Sequence, residues 1–280
     1  MKEMLLAAQR DGYGVGAFNI VNEQTARACI ALAEEMRAPM LLQTSMVPLS
    51  VYGPEGMMDL LRPLAEKARV PVAVHLDHCT DPDFVKRCID AGFTSVMMDA
   101  SKLPPEENIA VTRDVVDYAH ARGAVVEGEL GAIVKAKDDL AARQSGEGAV
   151  SLEAARDYMA RTGVDAFAPA VGTAHGLYRG EPKLNFELVR AIVALGMAPL
   201  VVHGGTGLSD ENFRKLIAAG ASKINISTAI KIAYYEGIAG YIQAHPDEKE
   251  QPLAIDQAAI AAVQDVVRRH IALFGTAHRV

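Results

Sequence analysis

An α/β fold of the (β/α)8 TIM-barrel class, with an additional C-terminal helix, is predicted by three features of the sequence. Eight short apolar runs alternate with segments of helical periodicity. Most of the runs are too short for helices and too apolar for strands with one wet face, as strands of a parallel sheet would be. A glycine repeatedly stands where a helical segment gives way to the next run, the place where a helix end needs positive φ.

Taken in order, the expected strands cover 14–20, 39–45, 71–77, 95–101, 124–130, 165–171, 198–205 and 223–228. Gly92 precedes the fourth, Gly123 the fifth, Gly163 the sixth, Gly196 the seventh and Gly220 the eighth. An open doubly wound sheet would share this local pattern, but a count of eight favours closure. No Gly-x-Gly-x-x-Gly follows the first strand, which weakens a dinucleotide-binding alternative. After strand eight, 229–245 and 255–274 are helical by pattern, the second being the additional terminal helix, with a polar linker at 245–251. The longest gap between a strand and its helix is 131–150, and long loops on such a scaffold often cover a site. A single domain spanning 1–280 suits the length, since such barrels run to about 250 residues.

Composition narrows the function classes. Half the residues are hydrophobic and 22% are charged, ample for a core and unlike a disordered chain. The net charge of -7, with Lys and Arg scattered, gives no footprint for nucleic acid. Residues 1–10 lack the apolar stretch of a signal peptide, and no run approaches membrane-span length, so a cytoplasmic protein with no membrane partner is expected. Cys29, Cys79 and Cys88 are odd in number and form no Cys-x-x-Cys pair, so reduced thiols are expected.

In a barrel the site lies at the C-terminal ends of the strands, and that position sorts the polar residues. Strand three ends His75-Leu76-Asp77-His78, strand four brings Asp99, and strand five carries Glu127 and Glu129. Strand six runs into Thr173-Ala174-His175, strand seven into His203-Gly204-Gly205, and strand eight carries Asn225. One histidine alone is more often structural, but three at one rim reverse that balance. His78, His175 and His203 are the expected ligands of a catalytic zinc, or another divalent metal, because three neutral imidazoles leave a fourth position open. His75, two residues before Asp77, shares its strand face at greater depth and is read as barrel interior or as support for the ligands. Gly204-Gly205-Thr206-Gly207 leads into a helix beginning near Ser209, an arrangement that presents backbone N–H groups to a phosphate. Arg179 and Thr228 can converge on the same anion.

Seven segments in this order resemble the class II ketose-bisphosphate aldolases, the family of fructose-bisphosphate and tagatose-bisphosphate aldolases. They are Gly16-Ala17-Phe18-Asn19, Gln43-Thr44-Ser45, His75-Leu76-Asp77-His78, Glu127-Gly128-Glu129-Leu130-Gly131, Gly172-Thr173-Ala174-His175-Gly176, His203-Gly204-Gly205-Thr206-Gly207 and Lys223-Ile224-Asn225-Ile226, and they span nearly the whole chain. The resemblance implies reversible cleavage of a ketose phosphate or bisphosphate to dihydroxyacetone phosphate and an aldehyde through a metal-stabilised ene-diolate. It implies His78, His175 and His203 as metal ligands, Asp77 as the residue exchanging a proton with the hydroxyl that becomes the aldehyde oxygen, and Asp99 and Glu129 beside an alternate metal position. It places Ser45, Gly176, Arg179, Gly204, Gly205, Thr206 and Thr228 about the donor phosphate and Asn225 at the donor's hydroxyl end. It further implies a sugar phosphate as the small-molecule partner, a homodimer or homotetramer, and room for a monovalent cation beside the divalent one.

The chain departs from the family at three places. The family's Gly-Gly-x-Glu-Asp loop, whose glutamate serves the donor carbon, is replaced by a stretch with Lys137 at the glutamate position and Asp138 and Asp139 beside it. Ser227 stands where fructose-bisphosphate aldolases commonly carry an aspartate, and Gln251-Pro252-Leu253 stands where many have Asp-Pro-Arg. Lys231 and Arg279 are the cations that can replace that arginine at the acceptor end. Fructose bisphosphate is therefore expected to be a poor substrate beside a ketose phosphate of tagatose-like stereochemistry or with another acceptor end. Two alternatives stand beside the aldolase: a metal-dependent phosphosugar epimerase, and a non-catalytic sugar-phosphate-binding subunit on the same scaffold. A lysine Schiff-base aldolase is disfavoured, because Lys223 is expected to open strand eight at the end away from the site.

Overall fold

The structure, a computed structural model, describes residues 1–131, 150–178 and 180–280. Among these residues the strands are β1 (Val15–Asn19), β2 (Met40–Thr44), β3 (Val72–Cys79), β4 (Ser95–Met98), β5 (Val125–Leu130), β6 (Ala166–Pro169), β7 (Leu200–Val202) and β8 (Ala221–Ile226). Each pairs in parallel with the next, and β1 also pairs with β8, so the sheet closes on itself. The expected barrel is what the chain builds, and each expected run overlaps one strand, although β3 runs two residues past its run and β8 starts two residues before its run.

The helices are α1 (Lys2–Asp11), α2 (Glu23–Glu35), α3 (Met46–Lys67), α4 (Pro82–Asp90), α5 (Pro105–His120), α6 (Leu152–Thr162), α7 (Phe186–Ala194), α8 (Asp210–Ala218), α9 (Thr228–Ala244) and α10 (Pro252–Phe274). Several begin on a polar side chain that takes an otherwise unpaired backbone N–H: Asn22 for α2, Asp81 for α4, Ser151 for α6 and Ser209 for α8. The five junction glycines, Gly92, Gly123, Gly163, Gly196 and Gly220, all have positive φ.

Two features were not anticipated from the sequence. The N-terminal segment is a helix, α1, whose Leu5 and Ala8 lie on one face and pack with Val15, Ala17, Leu41, Ala73, Ala166, Ala168 and Val201. It closes the N-terminal end of the barrel over an interior of mostly small side chains. Within α3 the helical path breaks at Gly53, which has φ 68° just before Pro54.

Inward and outward positions alternate along the strands with the period of two that a pleated sheet imposes. In β3, Val74 and Leu76 join the shell between sheet and helices, whereas Ala73, His75 and Asp77 face the interior. Apolar residues fill the barrel near α1, and polar ones take over toward the other end. That change along one axis is what gathers the site.

Candidate active site and metal centre

In a regular strand Asp77 and His78 would face opposite sides of the sheet, yet both serve the same cleft. The register between β3 and β4 shifts between Leu76 and Cys79, and His78 has φ 45°, a conformation rare for a residue with a Cβ. This irregularity re-aims His78 toward the mouth while Asp77 stays inward, a use to which bulges beside active sites are often put.

The rings of His78, His175 and His203 converge. Centroids lie 4.7 Å apart for His78 and His175, 4.5 Å for His78 and His203, and 6.0 Å for His175 and His203. One ring nitrogen from each lies within 4.8 Å of the others. His203 Nδ1 faces His78 Nε2 at 2.7 Å, while the remaining nitrogens turn to carboxylates: His203 Nε2 to Glu127 Oε1 at 2.7 Å and His78 Nδ1 to Asp99 Oδ2 at 2.9 Å. Carboxylates behind imidazoles fix the tautomer and leave the opposite nitrogens for a cation. The donor set fits a divalent metal of zinc's type. A second group, His78, Asp99 and Glu129, also brings its ligand atoms within 4.8 Å, so the side chains for an alternate position are adjacent.

Charge in the cluster is unevenly held. Burial works against a charged His78, but Asp77, Asp99 and Glu129 outweigh it and raise the ring to about 9. His203 is held well below its ordinary value by burial and by the positive neighbours His78 and Lys223. Burial alone would push Asp77 up; the charges of His78, Lys223 and His203 and a hydrogen bond from Asn19 bring it below the usual carboxylate value. Asp77 is thus an ionised carboxylate at neutral pH. Its two oxygens are both taken, Oδ2 by Asn19 Nδ2 at 2.8 Å and Oδ1 by Asn225 Nδ2 at 3.0 Å, and Asn19 Oδ1 in turn accepts from Gln43 Nε2 at 2.8 Å.

The cleft has a volume of about 250 Å³, and its lining includes Asp77, His78, His175, Gly204, Gly205 and Thr206. Ser45, Gly176, Asn225, Ser227, Thr228 and Lys231 also line it. Ser45 precedes α3 without using its hydroxyl as a cap, and Ser227 stands likewise before α9. Thr206 Oγ1 accepts from the Ala229 N–H at 3.2 Å, tying the glycine-rich turn to the start of α9. The expected helix after that turn is present as α8, capped by Ser209.

Three expectations need correction or stand apart. Arg279 does not reach the cleft: its guanidinium lies 4.6 Å over the Tyr13 ring and its N–H pairs with Gly275, while Tyr13 precedes β1 at the opposite end of the barrel. Lys223 does not open β8, which starts at Ala221; it is fully buried inside the barrel, its Nζ 2.7 Å from Glu127 Oε2. Lys223 still lies outside the lining of the cleft, so a Schiff-base role gains nothing. Arg179, Lys137, Asp138 and Asp139 lie outside the described residues.

His75 is interior, as expected, with Nδ1 2.6 Å from Ser95 Oγ. Residue types and spacing did not single out Asn19 or Gln43, although the period-two register places both on the inner face beside Asp77. Tyr178 was also missed; its hydroxyl accepts from the Ala174 N–H and donates to the Gly204 carbonyl, at 2.9 and 2.8 Å, joining the two loops that carry His175 and His203.

The family model described as "Fructose-bisphosphate aldolase class-II" matches residues 1–279. The chain is 40% identical over 274 residues to the D-tagatose-1,6-bisphosphate aldolase subunit GatY of Klebsiella oxytoca, covering 98% of this chain and 96% of that one. It is 42% identical over 252 residues to a fructose-bisphosphate aldolase of Geobacillus stearothermophilus, covering 88% and 86%. Among solved structures it resembles the YdjI aldolase of Escherichia coli K12, with a TM-score of 0.85, 28% identity and coverage of 100% and 98%.

Proposed function

This chain belongs to the class II fructose-bisphosphate aldolase family, and on that premise we propose that it cleaves a ketose phosphate or bisphosphate reversibly to dihydroxyacetone phosphate and an aldehyde. The observation that carries the reading is the placement of Asp77, held by Asn19 and Asn225, at the same mouth as three converging imidazoles. Family membership favours the aldolase over the epimerase, and a proton carrier so held argues against a binding subunit alone.

His78, His175 and His203 would hold the divalent metal, with Asp99 and Glu129 at hand for its alternate position. Such an ion supplies Lewis-acid stabilisation of the negative charge that carbon–carbon cleavage leaves beside a carbonyl, worth several kcal/mol. Asp77 takes the proton of the hydroxyl that becomes the aldehyde oxygen and returns it in synthesis, a role typically worth about 10²- to 10⁴-fold. Asn19 and Asn225 keep its carboxylate aimed. Ser45, Gly176, Gly204, Gly205, Thr206 and Thr228 form the donor-phosphate end, where the start of α9 and the glycine-rich turn offer hydroxyl and backbone N–H groups. Anchoring the phosphate holds the reacting carbons in place, so remote binding energy serves alignment.

At the acceptor end the cleft presents Ser227 and, one helical turn on, Lys231. With Leu253 at the place where many relatives carry an arginine, and Arg279 at the far end of the barrel, Lys231 is the cation available in the lining among the described residues. One charged contact of this kind is worth roughly 1.5 to 3 kcal/mol, so the altered acceptor end should cost about 10- to 150-fold in kcat/KM for fructose bisphosphate. The preferred ketose phosphate then has tagatose-like stereochemistry or a different acceptor end. A steady-state panel of fructose bisphosphate, tagatose bisphosphate and ketose monophosphates, read as release of dihydroxyacetone phosphate with and without a chelator, tests both levels. Full turnover in verified metal-free protein removes the metal mechanism; fructose bisphosphate leading the panel removes the specificity argument and leaves the aldolase.

A further inference from the structure

Beneath the histidine cluster the barrel holds two opposite charges with no exposure: Lys223 on β8 and Glu127 on β5, with Nζ 2.7 Å from Oε2. The other oxygen of Glu127 lies 2.7 Å from His203 Nε2. Neither residue lines the cleft. For stability alone, apolar side chains of similar volume usually serve as well as a buried ion pair or better. The pair calls for a role beyond holding the barrel, and its position supplies one.

We infer that Lys223 is a positioning residue for the metal centre: it fixes which way Glu127 faces, and Glu127 in turn fixes the proton of His203 on Nε2, leaving Nδ1 to the metal. The inference rests on the reading of His203 as a metal ligand. An ammonium group only donates hydrogen bonds, so whatever faces Nζ must be an acceptor. The Glu127 carboxylate meets that demand at Oε2 and keeps Oε1 as an acceptor for His203, which can therefore meet it only through an N–H. A neutral imidazole protonated on Nε2 carries its lone pair on Nδ1, and that is the atom facing His78 at 2.7 Å. His75 is not the partner that orients Glu127: its Nε2 lies 3.6 Å from Oε2 and makes no hydrogen bond.

The lysine has a consequence that a structural role alone would not give. In Glu127→Gln, Lys223 holds the amide oxygen, so the amide NH2 turns to His203 and demands a lone pair on Nε2. The His203 proton then moves to Nδ1, where a metal needs the lone pair. Adding Lys223→Met frees the amide to turn and offer its oxygen to His203. Zinc affinity, measured by competition with a chromophoric chelator, is expected to fall about 10- to 100-fold in Glu127→Gln and to recover several-fold in the double variant, although that variant has lost a second buried polar group. A double variant that binds zinc no more tightly than Glu127→Gln overturns the inference. A measurement on the unaltered protein is independent of folding in the variants: ¹⁵N shifts of histidine-labelled, metal-free wild type should place the His203 proton on Nε2, and a proton on Nδ1 overturns the inference as well. Failure of wild type to bind zinc at all would instead sink the ligand reading, and the tautomer would still be decided by the ¹⁵N shifts.

Discussion

His78 carries two conflicting demands, and the conflict is measurable. As a ligand it must be neutral, but in the metal-free protein Asp77, Asp99 and Glu129 overcome burial and hold the ring protonated up to about 9. A metal entering near neutral pH must displace that proton. Apparent zinc affinity should therefore tighten by about tenfold per pH unit between roughly 7 and 9 and flatten above, once the ring is already neutral. Chelator competition across that range, with proton release followed in weak buffer, checks it; a flat profile would mean that His78 is neutral before zinc arrives. Asp77 gives the other residue-scale outcome. Asp77→Asn should keep zinc but lower kcat by about 10²- to 10⁴-fold with little change in donor affinity. Both Asp77 oxygens accept from amide groups, so an asparagine there sets NH2 against NH2 on one side. Asn19 is locked by Gln43, whereas Asn225 Oδ1 has no partner and can turn to receive it. The site should thus survive the change, and near-normal kcat would move the proton transfer elsewhere. At this scale the sequence made the three histidines and Asp77 legible through their common place at strand ends. It hid the pairings beneath them, because a period of two tells which residues face inward but not which meet across the barrel, as Lys223 and Glu127 do.

The elements were legible for a simpler reason: parallel strands are buried on both faces, and their apolar runs and junction glycines survive in a single sequence. Where a helix did two jobs the pattern was weaker. Residues 1–10 raise in the sequence only the question of a leader, and with just Leu5 and Ala8 wholly buried α1 offers a short core face; the break at Gly53 does not show in the periodicity, although Gly53-Pro54 is itself a turn signal. The bulge at His78 has no composition signal either, since it is set by what β3 must present to the cleft. The turn from β7 to α8 shows how far backbone geometry controls the site. Gly204 has φ 69°, and a Cβ there would come 2.3 Å from the Ala174 carbonyl oxygen, a backbone atom in the loop that carries His175. Side-chain repacking cannot relieve that contact. Gly204→Ala should cost roughly 1 to 3 kcal/mol of stability through strain alone. It should also push apart the two loops that Tyr178 joins, lowering kcat/KM on the order of 10²-fold. Thermal unfolding and steady-state kinetics on one preparation check both; an alanine variant with unchanged kinetics would show that the donor end does not depend on this turn.

For the molecule as a whole, the metal should be a structural tie as well as a chemical one. His78 comes from β3, His175 from the loop after β6 and His203 from the end of β7, so one ion would join the adjacent strands β6 and β7 to β3, which is distant from both in sequence and pairs with neither in the sheet. In the unfolded chain these three residues are far apart, and an ion that binds only the folded form stabilises it by mass action. At free zinc of about 100 times the dissociation constant the gain is about 2.7 kcal/mol. In domains of roughly 150 to 250 residues, 1 kcal/mol moves Tm by about 2 to 4 °C, with the smaller value apt for a larger chain. Zinc should therefore raise Tm by roughly 5 to 10 °C, a chelator should reverse the rise, and His203→Ala should show almost none of it. Any affinity of zinc for histidines in the unfolded chain reduces the shift but not the difference between wild type and variant. Thermal scans of both proteins at matched free zinc make the comparison. An equal zinc-dependent rise in His203→Ala would place the stabilising ion somewhere other than this mouth, and the mechanism built on it would have to move as well.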